Sequence, residues 1–412
     1  MIAFSSTPTV TLDSTGGRCL YAQADKLRAM GPAVPVLLPD GMAAWSVSRG
    51  DVVKRLLTHP AVSRDIKSAV PGYRTGSVPW LSPWVDIDHM ATAEGKEHSR
   101  LRRLITPALS PRRVDALRPQ IEALVDRLLD DLAALPADEP VDLHTAFSYR
   151  VPTETICRLF GVPDDQRPEL LRLFRAVGET DVATEEESVA ITDGLLAAMH
   201  ALIEVRRGAP GDDLTSFLIA ARDEGTAPLT EHELISTLLL MIGGGSGTTI
   251  NLLDHTAREL LARPDQLRIV QDSPERWADA IEESLRVHCP VMHLPMRWAT
   301  ADIDLGEGVV IRGGDAVLIC YGAHGRDPAV HEKPEVFDTD RENKEHIAFS
   351  QGAHFCPGSR LALLEARIAL PALFTRFPRL ELAVEPDAVE PEHTFIGNGV
   401  ASLPVLLRHR SR

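Results

Sequence analysis

Positive charge is in short supply in this sequence. Its 412 residues hold 43 lysines and arginines against 59 aspartates and glutamates, a formal net charge of −16. Such a chain as a whole repels nucleic acid and anionic lipid, so neither is an expected partner. Cysteine is sparse: Cys19, Cys157, Cys289, Cys320 and Cys356 are odd in number, widely spaced and without a CxxC pair. That excludes a disulfide framework and a zinc site and points to a reducing compartment with at most one special thiol. No stretch reaches the roughly 18 apolar residues of a membrane span. The richest, Leu238 to Ile242, ends at once in glycines. The opening MIAFSSTPTV has no basic segment leading into an apolar one, so no export signal is expected and the location reads as cytoplasmic. Internal repeats, low-complexity tracts and a dividing linker are absent too. The remainder is an ordinary globular mix, 44% hydrophobic and 25% charged, long enough to bury a large core.

Patterning indicates a mainly α chain with a minor β region, one domain over 1–412. Val36 to Leu38 and Ala44 to Val47 read as strands around the turn Pro39-Asp40-Gly41. Residues 71–90 read as a loop, notable for Trp80 and Trp84 in a chain only 5% aromatic. Helices dominate from there to about residue 290, as the three-and-four apolar spacing of Arg118 to Leu135 shows. Loops are expected at 207–213 and 223–229. Thr230 and Glu233 form a capping-box pair at the start of a long helix. Ser273-Pro274 is an N-cap followed by proline at the first helical position. Strand character follows at Asp302 to Leu305, Val309 to Ile311 and Ala316 to Cys320, and a last helix at about Ser359 to Phe377.

One cysteine stands apart. In IAFSQGAHFCPGSRLALLE, Gly352 and Gly358 bracket Cys356 and permit a tight turn. His354 and Arg360 supply positive charge, and the helix after Gly358 directs its positive end toward the sulfur. These features favour a thiolate, which serves as a nucleophile or as a metal ligand. The other four cysteines read as small buried hydrophobes.

The run Phe349-x-x-Gly352-x-His354-x-Cys356-x-Gly358 resembles the haem-binding signature of cytochromes P450. The resemblance to soluble, actinobacterial members extends over nearly the whole chain, including LRRLITPALSPRRV and FDTDRENKEHIAFS. It implies a triangular, helix-rich prism enclosing haem b (iron protoporphyrin IX), with Cys356 as axial ligand. Glu283-Ser284-Leu285-Arg286 resembles the family's ExxR pair, which braces the haem-binding core. LLLMIGGGSGTTINLL resembles its central helix. Four glycines between 243 and 247 cost a helix about 4 kcal/mol, which close approach of a flat ligand or a local widening would explain. By resemblance Gly244 and Gly245 lie against the haem and Thr248 is the oxygen-activating threonine. Gly247 occupies the position of the usual acid, with Ser246 beside it. His98, Arg102, Arg297 and His354 are implied as partners of the haem carboxylates.

Further departures concern the surroundings. Pro357 has no N–H to donate to the sulfur. Leu363 replaces a usual arginine, and Val336 stands where a basic partner of ExxR is common, so a loosened ExxR network is expected. The resemblance implies a monomeric enzyme that inserts oxygen from O₂ into a lipophilic small molecule such as a macrolide, polyketide, terpenoid or steroid. Substrate contacts are implied at Val78, Trp80, Leu81 and Trp84, at Leu240 and Gly244, at Val291, Met292, His293 and Leu294, and at Phe395 and Ile396. Electrons come by resemblance from ferredoxin and ferredoxin reductase. Lys96, Arg100, Arg102, Arg103, Arg112 and Arg113 make a local basic patch where such an acidic donor docks, with Arg360 on the same side. Cyclisation, coupling or peroxide-driven chemistry is the alternative that Gly247 keeps open, and a non-catalytic haem binder is a third.

Overall fold

Alternating burial from Val34 to Leu37 and the positive φ values of Asp40 (56°) and Gly41 (71°) fold the early apolar segment into a hairpin. In the computed structural model, which describes residues 4–8, 10–12, 20–178, 185–224 and 229–408, this hairpin seeds the main sheet. Its strands are β1 (Val10–Thr11), β2 (Val34–Leu37), β3 (Ala43–Val47), β4 (Val62–Ser63), β5 (Arg297–Ala299) and β6 (Ala316–Ile319), in the order β1-β2-β3-β6-β5-β4. The sheet is mixed: β3 pairs with β6 in parallel, Trp45 opposite Val317. The edge pair β4–β5 is antiparallel, with Val62 opposite Ala299 and Ser63 opposite Trp298. The resemblance implies a strand at Arg297, but patterning alone does not mark β5. Three residues are too short for a pattern, and its neighbours in the sheet define it.

Helices supply most of the mass. Those that build the site are α1 (Gly95–Ile105), α2 (Arg118–Ala133), α3 (Arg150–Leu159), α4 (Glu231–Gly244), α5 (Gly247–Ala262), α6 (Trp277–Val287) and α7 (Ser359–Arg376). In α2 the buried residues Ile121, Leu124, Val125, Leu128, Leu129 and Leu132 repeat at helical spacing and pack on α7. Helix α7 also packs on α3, α5 and α6, so the segment after Cys356 is anchored in the core. Helix α5 is buried almost all round, as befits the centre of such a bundle. Together 231–262 reach the length and hydropathy of a membrane span, but half of that stretch is buried inside the protein.

The capping box forms as read: Glu233 N–H donates to Thr230 Oγ1 (3.2 Å) and Thr230 N–H to Glu233 Oε2 (2.7 Å). Ser273 differs. It holds the N-cap position, but its side chain makes no cap bond, and Pro274–Arg276 form a short 3₁₀ turn before α6. The segment 71–90 is not all loop, since Pro79–Leu81 and Ser82–Val85 each form a helical turn. A helix Leu214–Glu224 extends into the expected 223–229 loop, whose residues 225–228 lie outside the described ones, as does Cys19.

Candidate active site

The loop before α7 is held from both ends. Cys356 N–H donates to the Phe349 carbonyl at 2.9 Å, which closes the turn over Gly352–His354. Gly352 sits at φ +75°, and a Cβ there would lie 2.9 Å from Thr58 Cγ2, so the turn needs glycine on both counts. Gly358 caps α7, and its Cβ direction passes 3.8 Å from the Cys356 sulfur. Burial raises the Cys356 thiol's pKa, opposed by the amides of Gly358 and Ser359 and by the Arg102 charge. Residues 358 and 359 thus provide the donors that Pro357 cannot. A coordinated metal is what completes deprotonation of such a thiol. Phe349 packs beside Phe355, ring centroids 6.3 Å apart.

The glycine run breaks the central helix. α4 ends at Gly244, α5 starts at Gly247, and Ser246 stands between them with φ −107°. The four glycines do two different jobs. Added Cβ atoms at Gly243 and Gly245 would lie 2.8 Å from the Phe174 ring and 2.8 Å from Ile156, so these two permit close helix packing. Gly244 and Gly247 meet nothing within 4 Å and are exposed, although they lie mid-chain in the central helix. Open space lies there. Thr248 Oγ1 donates to the Gly244 carbonyl at 3.3 Å and Ser246 Oγ to the Ile242 carbonyl at 3.4 Å, both across the break.

Buried donors without partners lie on β5, on α1 and just after β4. Arg297, on β5, is 2% exposed; its Nη2 donates to Tyr321 Oη at 3.3 Å, while its Nε has no partner. His98 on α1 is buried with an unpartnered Nε2, its ring 4.5 Å from that of His354. Burial, aided by Arg102, holds the His98 pKa down. Burial also lowers that of His354, although its Nε2 contacts Glu94 Oε1 at 3.2 Å. Tyr321 would be raised by burial, yet the Arg297 and Arg64 charges hold its phenol below the usual range. Arg102 is only partly buried and donates to the Phe355 carbonyl at 2.7 Å. Arg64 is 4% exposed with an unpartnered Nη1, and no sequence signal marks it. Nothing local marks an arginine in VSRDIK as buried, because strand pairing alone brings it to Arg297.

Buried donors without acceptors are costly. A flat macrocycle with two carboxylates on one edge and a metal that takes a thiolate answers each feature. Its carboxylates would answer the unpaired donors, its macrocycle the open helix break and its metal Cys356. Haem fits the residues present.

The Glu283–Arg286 pair is held more strongly than the resemblance implies. Arg286 and Glu283 are fully buried and pair through two bonds of 2.7 Å. Arg286 Nη1 also donates to the carbonyls of Gly325 (2.5 Å) and Pro334 (2.7 Å), and Nη2 to that of Val336 (2.9 Å). The third charge is not missing. Arg341 donates to Glu283 Oε1 at 3.0 Å and reaches the Val336 carbonyl, so Val336 joins through its backbone.

Of the expected substrate contacts, Val78, Trp80, Trp84, Leu240, Val291 and Leu294 are partly exposed. Leu81, Met292, Phe395 and Ile396 are buried in a core cluster. Met292 points at Gly322, where a Cβ would sit 2.5 Å from its sulfur. His293 is 2% exposed, and its Nδ1 donates to the Phe395 carbonyl at 2.8 Å. Burial lowers its pKa to about 4, so the ring is neutral. The basic patch is thinner than the sequence suggests. Arg100 pairs with Glu97 at 2.5 Å and with Glu233, Arg360 pairs with Asp115 at 2.6 Å, and Arg113 lies 4.7 Å over the Phe217 ring. Lys96, Arg103 and Arg112 are exposed.

The cysteine turn that caps α7, the broken central helix and the buried unpartnered donors of Arg64, Arg297 and His98 fit a haem-thiolate site. Comparison with known proteins names the family. Residues 278–407 match the cytochrome P450 family model. The chain is 42% identical over 402 residues to 2-hydroxy-5-methyl-1-naphthoate 7-hydroxylase of Streptomyces carzinostaticus, covering 96% of this chain and 97% of that one. It is 33% identical to 6-deoxyerythronolide B hydroxylase of Saccharopolyspora erythraea, over 94% of this chain and 96% of that one. The solved structure of CYP154A1 from Streptomyces coelicolor A3(2) superposes with a TM-score of 0.90 at 44% identity, covering 97% of this chain and all of that one. The chain belongs to the cytochrome P450 family and is a monooxygenase of that class.

Proposed function

We propose that the chain hydroxylates or epoxidises a lipophilic secondary metabolite, with O₂ as oxidant and electrons from ferredoxin through its reductase, as a cytoplasmic, single-domain monomer. The observation that carries this reading is the helix break, where Gly244 and Gly247 leave open space beside Thr248. Relatives named for a naphthoate and for a macrolactone favour a polyketide-derived substrate. Partly exposed Val78, Trp80, Trp84, Leu240, Val291 and Leu294 offer it an apolar surface.

Cys356 would hold haem b by its iron, and His98, Arg102, Arg297 and His354 would attend its carboxylates. When bound, haem supplies a thiolate-ligated iron suited to cleaving the O–O bond. The chain's own part is orientation and proton supply. Gly358 and Ser359 amides steady the sulfur. Thr248 Oγ1 donates a long 3.3 Å hydrogen bond to the Gly244 carbonyl, from which a competing acceptor in the open space could draw it. With glycine at 247 that turn has no carboxylate to relay protons, so water entering the same space would carry them.

The missing acid also supports the second reading, coupling or peroxide-driven chemistry. A spectral binding screen of aromatic polyketides and macrolactones, followed by turnover, separates the two. The first reading expects oxygenated product with NAD(P)H, ferredoxin and ferredoxin reductase. Product with peroxide alone, and none with the reductase chain, would transfer the assignment to the second.

A further inference from the structure

Arg64 follows β4, where Ser63 pairs with Trp298 in the antiparallel register. Continued by one residue, that register sets Arg64 opposite Arg297. Directly opposite residues project from the same face, and like charges there are destabilising. Both side chains are also buried, 4% and 2% exposed. Glu94 is near enough for its charge to act on both arginines, but it is one carboxylate against two and neither guanidinium bonds it. Glu94 Oε1 is taken by the Arg64 backbone N–H (2.7 Å) and by His354 (3.2 Å). The Arg64 side chain bonds only carbonyls, Nε to Ala91 at 2.8 Å and Nη2 to Pro295 at 3.4 Å. Those bonds fix the plane of the guanidinium and leave Nη1 buried without a partner, as Arg297 Nε is. Burial first, and the neighbouring Arg297 charge second, press the Arg64 pKa down to about 10. Two fixed guanidiniums with unpaired donors are built to receive an anion between them.

We propose that Arg64 is a haem-carboxylate residue, its Nη1 and Arg297 Nε together gripping a propionate, with Tyr321 positioning Arg297. The proposal rests on the haem-thiolate reading above. It gives the sheet edge two buried arginines for the haem carboxylates, whereas Arg102 lies at the partly exposed Cys356 side on the Phe355 carbonyl.

The test measures haem loss to excess apomyoglobin from the full chain, wild type and Arg64→Met, each reconstituted with protohaem or with its dimethyl ester. A charge-assisted, buried contact corresponds to about tenfold to a hundredfold in rate. Arg64→Met is expected to lose protohaem faster by that factor, to lose the ester at the wild-type rate, and to be partly rescued by Arg64→Lys. Equal acceleration for both porphyrins would overturn the proposal, since Arg64 would then merely tie the Ala91 and Pro295 carbonyls. No acceleration would overturn it too. The reduced CO spectrum of the same wild-type sample checks the underlying reading separately. A thiolate band with unchanged protohaem loss sinks only the Arg64 role, and a wild type lacking that band sinks the reading beneath it.

Discussion

Arg286 and Glu283 show what a short motif does once buried. A paired charge with no exposure is stable only while both partners and their hydrogen bonds are present. Arg286→Leu leaves Glu283 buried with Arg341 and the Asp338 amide, and strips donors from three carbonyls. It is expected to cost about 3–5 kcal/mol, read as a lower urea midpoint. A loss below about 1 kcal/mol would mean that the pair is no brace. Legibility at this scale followed distance along the chain. Cys356 and its glycines explain one another within ten positions, so the loop was readable. Arg341 reaches Glu283 across 58 positions and Arg64 reaches Pro295 across 231, and neither contact leaves a local trace. His293 was read as a polar substrate contact, but its Nδ1 is bound to Phe395, 102 positions away.

Among the elements, the broken helix 231–262 is the informative one. Its capping box and apolar runs were legible because they are local chemistry. The division of labour among its glycines was not, because it depends on Phe174 and Ile156 from other helices. Gly245→Ala places a methyl 2.7 Å from the Met241 carbonyl and 2.8 Å from Ile156, and overpacking of that kind costs about 1–3 kcal/mol. In the haem-free chain Gly244→Ala meets open space and is expected to be neutral or to gain up to about 1 kcal/mol of helix preference. Thermal unfolding of the two variants decides. Equal effects would mean that both glycines face the same environment. Strand β5 illustrates the opposite limit. RWA has no pattern of its own, and β4 and β6 on either side make it a strand.

For the molecule as a whole, one buried acid couples stability to pH. Glu365 on α7 is 1% exposed, and burial raises its pKa to about 8 despite a hydrogen bond with Thr155. A carboxyl that keeps its proton when folded and loses it near 4.5 when unfolded favours folding most at low pH. That advantage is fully present below about 4.5 and is lost as pH rises through about 8. Between pH 5 and pH 8 wild type should therefore lose roughly 3 kcal/mol relative to Glu365→Gln in denaturant titrations. Parallel curves for the two proteins would show that Glu365 ionises normally. The acidic balance of −16 likewise applies to the whole chain only. Locally the surplus is positive at the sheet edge, where the unpartnered donors of Arg64 and Arg297 await carboxylates. The central claim is that Cys356 and this edge hold haem through a thiolate. The reduced CO difference spectrum of the haem-reconstituted chain tests it most directly. The red-shifted band of thiolate ligation, absent in Cys356→His, is expected; haem bound by the wild type without that band would contradict the account.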